Sequence, residues 1–428
     1  MSDYMFMLES HLSQTQNFVI AEVQRMMAKL QINVFLTGGA LRDMLAALPV
    51  RDLNFTLDGS PLKLVKALEK ESGIRIVNAD EVRKSYEVAF PNGVLAEISM
   101  ARTERYLKPG AQPKVAPATI HEDLRGRDFS INCLAISLAE GSRGLLLDPT
   151  NGLSDFSLRE LRTVSSHTLM DDPSRVLKLV TLQARLGFQL DERTKNQYLR
   201  AREAKIEALI TPEALRREIV KIGEEFNPLP ILETLEKEGF LDLYFPGLSG
   251  AKLNIAGFQK LLKFRGMVPF GTQLKEDRFS LFLFTISEKW TPKEKLTFIK
   301  NCKLSKREVD GWKNLDAKSK VLQNVLKSAK LQKPSQLYAA LVDAPAEYLF
   351  VLLTKSPLRM VQERIKNYLQ KYLPMAMEVS DEDVVGAGGV LGTPKAHLLR
   401  KQLIAVKLDA RPRKIPTADP AYNPQAVT

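Results

Sequence analysis

Leu36–Gly59 reads LTGGALRDMLAALPVRDLNFTLDG, and the punctuation of this stretch decides the fold. Val34–Thr37 (VFLT) is a short apolar run that stops at Gly38-Gly39, and Ala40–Leu48 then reads as a helix. A strand that breaks at paired glycines and restarts as a helix presents free backbone N–H groups at a helix N-terminus, a geometry suited to phosphate. Arg42 falls in the first turn of that helix, where a cation is unhelpful to the dipole but useful beside a polyphosphate. A second strand is expected over Arg51–Leu57. Within it Asp52 and Asn54 are two apart and so share a face.

Gly-Gly-x-x-Arg-Asp, followed by a strand carrying Asp-x-Asp, is the pattern that this stretch resembles. It is that of the nucleotidyltransferase superfamily, specifically the bacterial tRNA CCA-adding enzymes and their relatives the poly(A) polymerases. The resemblance implies an α+β chain: a nucleotidyltransferase head of the DNA polymerase β-like type, then an all-helical neck, body and tail. It also implies a reaction, attack of an RNA 3′-hydroxyl on the α-phosphate of a nucleotide, with two aspartates holding two magnesium ions. Here the second aspartate is Asn54.

The chain has 428 residues, room for two to four domains, and a net charge of +12 that suits a polyanionic partner. Two cysteines, Cys133 and Cys302, exclude a disulfide framework and a cysteine-rich zinc site. There is no secretory signal pattern and no uninterrupted apolar stretch of membrane-spanning length, so a cytoplasmic protein with no membrane partner is expected.

Met1–Leu30 carries apolar residues at helical spacing (Val19, Ile20, Val23, Met26, Met27, Leu30) and is read as a helix packed on the first domain. A helix over Pro61–Glu71 and a strand over Ile74–Val77 follow. Lys84–Phe90 and Val94–Ser99 are two strands joined at the turn Pro91-Asn92-Gly93. Glu97 lies in the second of these. In the family this position is a third acidic residue, followed by an Ala-Arg-x-Glu segment that Ala101–Glu104 reproduces. Tyr106–Ala116 is rich in Pro, Gly and Lys and is expected to be a mobile loop.

Ile120–Leu134 (IHEDLRGRDFSINCL) resembles the family segment Glu-Asp-Leu-x-Arg-Arg-Asp-Phe-Thr-Ile-Asn-Ala. Gly126 stands where its first arginine belongs, and Arg127 matches the second, which contacts nucleotide. Leu147–Val164 resembles the Asp-Pro-x-x-Gly connection, expected to be structural. Asp171–Phe188 resembles the Glu-Asp-x-x-Arg helix, where Asp172 and Arg175 would select ATP and CTP by their base edges. An acceptor and a donor fork suit an adenine or cytosine edge. The triphosphate-neutralising arginines expected one and two turns on are Lys178 and Thr181. Thr211 reads as a helix N-cap with Pro212 in the first turn. Residues 246–372 match weakly and carry basic stretches at Lys260–Arg265, Lys293–Lys306 and Lys318–Lys333. The Gly386–Gly389 turn leading to Lys395–Val406 resembles the family's C-terminal element. His11, His121, His167 and His397 are isolated, so no HD phosphohydrolase domain is expected.

The expected organisation is an N-terminal helix (1–30), head (31–165), neck (166–246), body and tail (247–408) and a disordered end (409–428). The expected site comprises Asp52, Asn54 and Glu97 on Mg²⁺ or Mn²⁺, Gly38, Gly39, Arg42, Arg127 and Lys178 on phosphates, and Asp172 with Arg175 on the base. The expected partners are tRNA or another structured RNA, with ATP and CTP. Two functions remain open at this point: RNA 3′-end nucleotide transfer of the CCA, A-only or poly(A) type, and RNA binding by a member weakened at Asn54.

Overall fold

The computed structural model describes residues 4–272 and 274–410. Its fold divides into two units. The first is Met1–Ile222 with Leu229–Leu248 and Leu296–Lys303, and the second is Gly223–Pro228, Ser249–Lys295 and the chain from Leu304 onward.

In the first unit the strands up to residue 147 are β1 (Val34–Thr37), β2 (Leu53–Leu57), β3 (Arg75–Asp80), β4 (Ser85–Ala89), β5 (Leu95–Met100), β6 (Arg102–Arg105), β7 (Lys114–Pro117), β8 (Ala135–Ser137) and β9 (Leu146–Leu147). Seven of them form one sheet in the order β3-β4-β5-β2-β1-β8-β9, and β6 and β7 pair separately as a hairpin. Neighbours in the large sheet are antiparallel except β2 and β5, which run parallel. The α+β expectation is met.

Alternation sorts the two faces of the sheet. Val34 and Leu36, Leu53, Phe55 and Leu57, and Ala96 and Ile98 are buried on one face. The helices Gln14–Leu30, Gly39–Leu45 and Leu62–Ser72 cover it with Val19, Ile20, Val23, Met26, Ala40, Leu41, Leu64, Val65 and Leu68. The other face carries Thr37, Asn54, Thr56, Glu97 and Ser99, a polar surface in the middle of a core.

The N-terminal segment is two helices, Tyr4–His11 and Gln14–Leu30, where a single one was expected. A capping box separates them: Gln16 N donates to Ser13 Oγ, and the Gln16 side chain accepts from Ser13 N at 2.9 Å. The strand expected from Arg51 begins at Leu53, and the helix expected to Leu48 ends at Leu45. Tyr106–Ala116, expected to be a mobile loop, contributes β7 to the β6–β7 hairpin, and at its tip Gly110 N donates to Asp171 O at 3.3 Å. Beyond Asp171 the described residues form helices and one strand, Gln189–Leu190, which pairs in parallel with Glu160–Leu161. Thr211 caps its helix as expected, accepting from Ala214 N at 3.3 Å.

The second unit is helical. Helices Ile255–Arg265, Arg278–Ile286, Lys306–Leu326 and Ala346–Lys355 pack around Phe258, Leu261, Phe282, Trp312, Leu315 and Phe350. Pro394–Asp409 closes on Tyr372, Ala376 and Val379. Of the expected disordered end, Asp409 finishes this helix, and 411–428 lie outside the described residues. Among the described residues no single helix is long and apolar enough to cross a membrane.

One glycine tests the packing beneath the polar face. Gly152 begins the helix Gly152–Leu158 and donates its N–H to Asp148 Oδ1 at 2.7 Å. A Cβ there would lie 2.3 Å from Ser130 O and 2.9 Å from Ser130 C. These are backbone atoms that cannot rotate aside. Gly152→Ala should therefore lower the urea unfolding midpoint by an amount equivalent to about 1–3 kcal/mol. At Gly141, where nothing lies within 4 Å, the same change should leave the midpoint unchanged or raised. Equal midpoints for the two variants would show that the Asp148–Gly152 turn is loosely packed.

Candidate active site

The site begins where β1 ends. Gly38 has φ of +72°, which favours glycine, and a Cβ there would stand 3.2 Å from Arg127 Nη1 and 3.9 Å from Asn54 Nδ2. The Gly38 turn, Asn54 and Arg127 therefore meet at one point. In register across the sheet, Thr37 pairs with Asn54, Asn54 with Glu97, and Glu97 with Glu87. One residue before β2 stands Asp52, exposed, while Asn54 and Glu97 are half-buried. The carboxyl of Glu87 is raised above its ordinary range by burial, and the charges of Glu97 and Asp52 push it further against the pull of Arg216. Glu87 was not anticipated. Its clue was visible as an acidic residue at an outward position of a strand next to that of Glu97.

Two residues further along the same face runs a hydroxyl ladder. Thr37 Oγ1 and Thr56 Oγ1 are 3.0 Å apart, and Thr56 Oγ1 and Ser99 Oγ are 3.5 Å apart. Arg127 rests on this ladder through Nη2 to Thr56 Oγ1 at 3.1 Å, while its Nε donates to Asp123 Oδ2 at 2.9 Å. Gly126 has no neighbour that forces its small size: a Cβ would meet nothing closer than 3.5 Å.

Arg42 is placed otherwise than expected. It is 5% exposed, with Nη1 on Asn132 Oδ1 at 2.9 Å and Nε and Nη2 on Asp43 Oδ1 at 2.9 and 2.7 Å. Its charge is spent inside the protein. Arg185 joins the same carboxylate at 2.6 and 3.1 Å, and Arg51 Nε lies 3.6 Å from it. Burial alone would raise the Asp43 carboxyl. Arg42, Arg185 and Arg51 together hold it below its ordinary value.

Lys178 and Thr181 are also turned inward. Lys178 Nζ donates to Asp128 Oδ2, and Asp128 Oδ1 accepts from Phe129 N at 2.7 Å and Asn132 Nδ2 at 2.9 Å. Burial would raise the Asp128 carboxyl, but the charges of Lys178 and Arg175 hold it well below the usual range. Thr181, 7% exposed, donates to Glu218 Oε2 at 3.1 Å. Asp128 and Asn132 were visible as motif matches four residues apart, but their roles in holding Lys178 and Arg42 were not.

At the start of the same helix, Asp172 Oδ1 accepts from Ser174 N at 3.0 Å and Ser174 Oγ at 2.6 Å. Its other oxygen lies 3.9 Å from Arg175 Nε. The Arg175 guanidinium sits 5.9 Å from the ring centre of Tyr106. Tyr106 Oη donates to Glu104 at 2.6 Å, and Arg102 and Arg83 also reach that carboxylate, at 2.8 and 3.1 Å. Burial opposes its ionisation, but these three partners hold Glu104 at about 2.

Among the described residues no three Asp, Glu, His or Cys side chains are grouped to hold a metal ion. The donors at hand are two carboxylates, Asp52 and Glu97, and the Asn54 amide, which is in register with Glu97 and two residues after Asp52. These are hard oxygen donors. Mg²⁺ characteristically takes one or two carboxylates and completes its shell with water and substrate phosphates, so the donor set fits such an ion.

Known proteins share this arrangement of elements. Residues 34–162 match the Poly A polymerase head domain. The A-adding tRNA nucleotidyltransferase of Halalkalibacterium halodurans is 32% identical over 242 residues, which are 55% of this chain and 56% of that protein. The CC-adding tRNA nucleotidyltransferase of Deinococcus radiodurans is 38% identical over 151 residues, 35% of this chain and 40% of that one. The chain thus spans about half the length of the curated relatives it matches. In fold, a CCA-adding enzyme in its apo form aligns over 97% of this chain and 96% of its own, with a TM-score of 0.53 at 22% identity. Residues 34–162 are thus similar to the head domain of poly(A) polymerases, and the chain as a whole shares the fold of a CCA-adding enzyme.

Proposed function

We propose that the chain is an RNA 3′-end nucleotidyltransferase that adds A, and C from the same pocket, to tRNA. The observation that carries this reading is the row Thr37, Asn54 and Glu97, which opens beside the Gly38 turn and Arg127. The names of the matched relatives support the substrate class. In the reaction the RNA 3′-oxygen gives up its proton to solvent and bonds to the α-phosphorus, the bond from that phosphorus to the β-phosphate oxygen breaks, and pyrophosphate leaves.

Asp52 and Glu97, with the Asn54 amide oxygen, would hold Mg²⁺ or Mn²⁺, which supplies Lewis-acid polarisation of the phosphate and acidifies the attacking hydroxyl. The backbone N–H groups after Gly38 and the Arg127 guanidinium receive phosphate oxygens. Asp123 and Thr56 fix the plane of Arg127, so it needs little reorganisation. Arg42 supports this turn from behind through Asp43 and Asn132. Asp172 keeps Oδ2 for a base amino group, since Oδ1 is spent on Ser174, and Arg175 donates to the ring nitrogen beside it. Cys133 and Cys302, both buried thiols outside any disulfide, fit the reducing cytoplasm in which tRNA and ATP occur.

A second reading, a weakened family member that binds tRNA or another structured RNA, is favoured by Asn54 itself. The amide removes a full negative charge from the metal-facing row, a reduction of roughly 10²–10³ in rate by analogy with other deleted electrostatic stabilisers. A-only, CCA and poly(A) addition share these residues, and product length distinguishes them.

Incorporation of labelled ATP and CTP into tRNA lacking its 3′ end, with Mg²⁺ and with Mn²⁺, tests both readings. The natural chain should incorporate nucleotide slowly with Mg²⁺ and faster with Mn²⁺, and Asn54→Asp should gain at least roughly 10²-fold with Mg²⁺. If neither form incorporates while both bind tRNA, the second reading stands instead. In the Asn54→Asp background, Arg175→Ala should cut the preference for ATP over GTP by roughly 10–100-fold, the worth of one bidentate hydrogen bond to a base. An unchanged preference would remove Asp172 and Arg175 from base selection.

A further inference from the structure

The large sheet ends in two unlike edges. At one end stands β9, Leu146–Leu147, two residues long. At the other stands β3, six residues long, whose neighbour in the sheet is β4. Ile74, 2% exposed, anchors the start of β3 to the core, yet five of the six residues of the strand are exposed and Asp80 is half-buried. Ile76 and Val77 present apolar side chains at 41% and 56% exposure. An edge of this kind offers the N–H and C=O groups of alternate residues to another strand, and proteins commonly shorten, charge or cover it. β3 is long, and its two charges, Arg75 and Asp80, stand only at its ends.

Those end charges are opposite, and a bulge decides which way they point. β3 and β4 pair Arg75 with Ala89, Ile76 with Val88, Asn78 with Glu87, Ala79 with Tyr86 and Asp80 with Ser85, so Val77 is the extra residue. Arg75 and Asp80 are five apart and in a regular strand would lie on opposite faces. Their partners Ala89 and Ser85 are four apart, so the bulge returns both charges to the face that carries Glu87. Ile76 and Ala79 go to the other face, beside the core residues Val88 and Tyr86. The strand is thus its own complement. Turned about a two-fold axis that passes between Val77 and Asn78, perpendicular to the sheet, Arg75 of one copy meets Asp80 of the other on one face. Ile76 meets Ala79 on the opposite face. Arg75 is exposed, and Asp80 shares its internal partner, Arg83 at 3.3 Å, with Glu104 at 3.1 Å.

A bulge blunts an edge against foreign strands, because the regular ladder of an incoming segment does not match the break. A second copy carries the same break at the same place, and the two coincide at the axis. We propose that β3 is a self-association edge: two chains pair β3 with β3, antiparallel about this axis, and join their large sheets into one. The Arg75–Asp80 contact then occurs twice, as it must in an isologous interface. Self-association of this kind is independent of which nucleotide the head transfers.

Sedimentation of the full chain over a concentration series should show a monomer–dimer equilibrium. Val77→Lys, at an exposed position that needs no new space, brings two like charges together at the axis and should weaken the dimer at least roughly tenfold. Arg75→Glu alone, and Asp80→Lys alone, each set like charges against one another twice per dimer and should weaken it by at least as much. Mixed in equal amounts, the Arg75→Glu and Asp80→Lys chains should associate again, because both contacts then join opposite charges. Misfolded variants would not give that recovery. A natural chain that stays monomeric throughout overturns the proposal, whether or not a strand of another protein binds the edge. A dimer that all three variants leave intact, or a mixture that fails to associate, overturns it as well.

Discussion

A single buried carboxylate holds the first unit in working order. Asp43, 1% exposed, receives Arg42 from its own helix, Arg185 from the last turn of the Ser174–Leu186 helix and Arg51 from the approach to β2. Removing one member of such a group leaves a buried charge uncompensated, at a cost of about 3–5 kcal/mol. A second link, Arg42 to Asn132 to Asp128 to Lys178, reaches the same long helix two turns earlier. The helix that begins beside Asp172 and Arg175 is thus pinned to the head at two points along its length. These pins, together with the buried Val176, Leu177, Leu179 and Val180 of that helix, hold the candidate base-reading pair in place relative to the Asn54–Glu97 row.

This network also sorts the four departures from the family pattern, which look alike in the sequence. Thr181 is a core residue bonded to buried Glu218, and an arginine there would meet a packed interior. Lys178 is the partner of Asp128, a place where a single ammonium suffices. Gly126 has open space about it, and nothing in the structure explains its smallness. Asn54 alone lies on the polar face of the sheet, opposite Glu97, where the proposed transfer would take place. The question of activity therefore narrows to one side chain.

Much of the head was legible because it is encoded in local patterns. Alternation in VFLT, LNFTL and LAEISM placed the core face of β1, β2 and β5, and the Gly-Gly break marked the turn at Gly38. The residues hidden from view were those whose partners lie far along the chain. Asp43 and Arg185 are separated by 142 positions, and Thr181 and Glu218 by 37, and no periodicity announces either pair. Arg42 was misjudged for the same reason: its first-turn position was visible, but the buried acceptors that absorb its charge were not. In the Tyr106–Ala116 segment composition marked the loop over 106–113 but not the short hairpin pairing of Lys114–Ala116, which prolines and glycines do not forbid.

The parallel pairing of β2 with β5 has a kinetic meaning. Asn54 and Glu97 face each other only across that pairing, while the other junctions of the large sheet are antiparallel. The pairing closes a loop of about forty residues, and the entropy of closing it must be met before the pairing returns any stability. In between, β3 and β4 must form and the Leu62–Ser72 helix must dock. A chain emerging from synthesis can pair β1 with β2 early, but the row of Asn54 and Glu97 exists only once β5 has arrived. Until then β2 is paired on one side only, with β1, and Asn54 has no Glu97 opposite it, so the row is assembled only when the middle of the sheet closes.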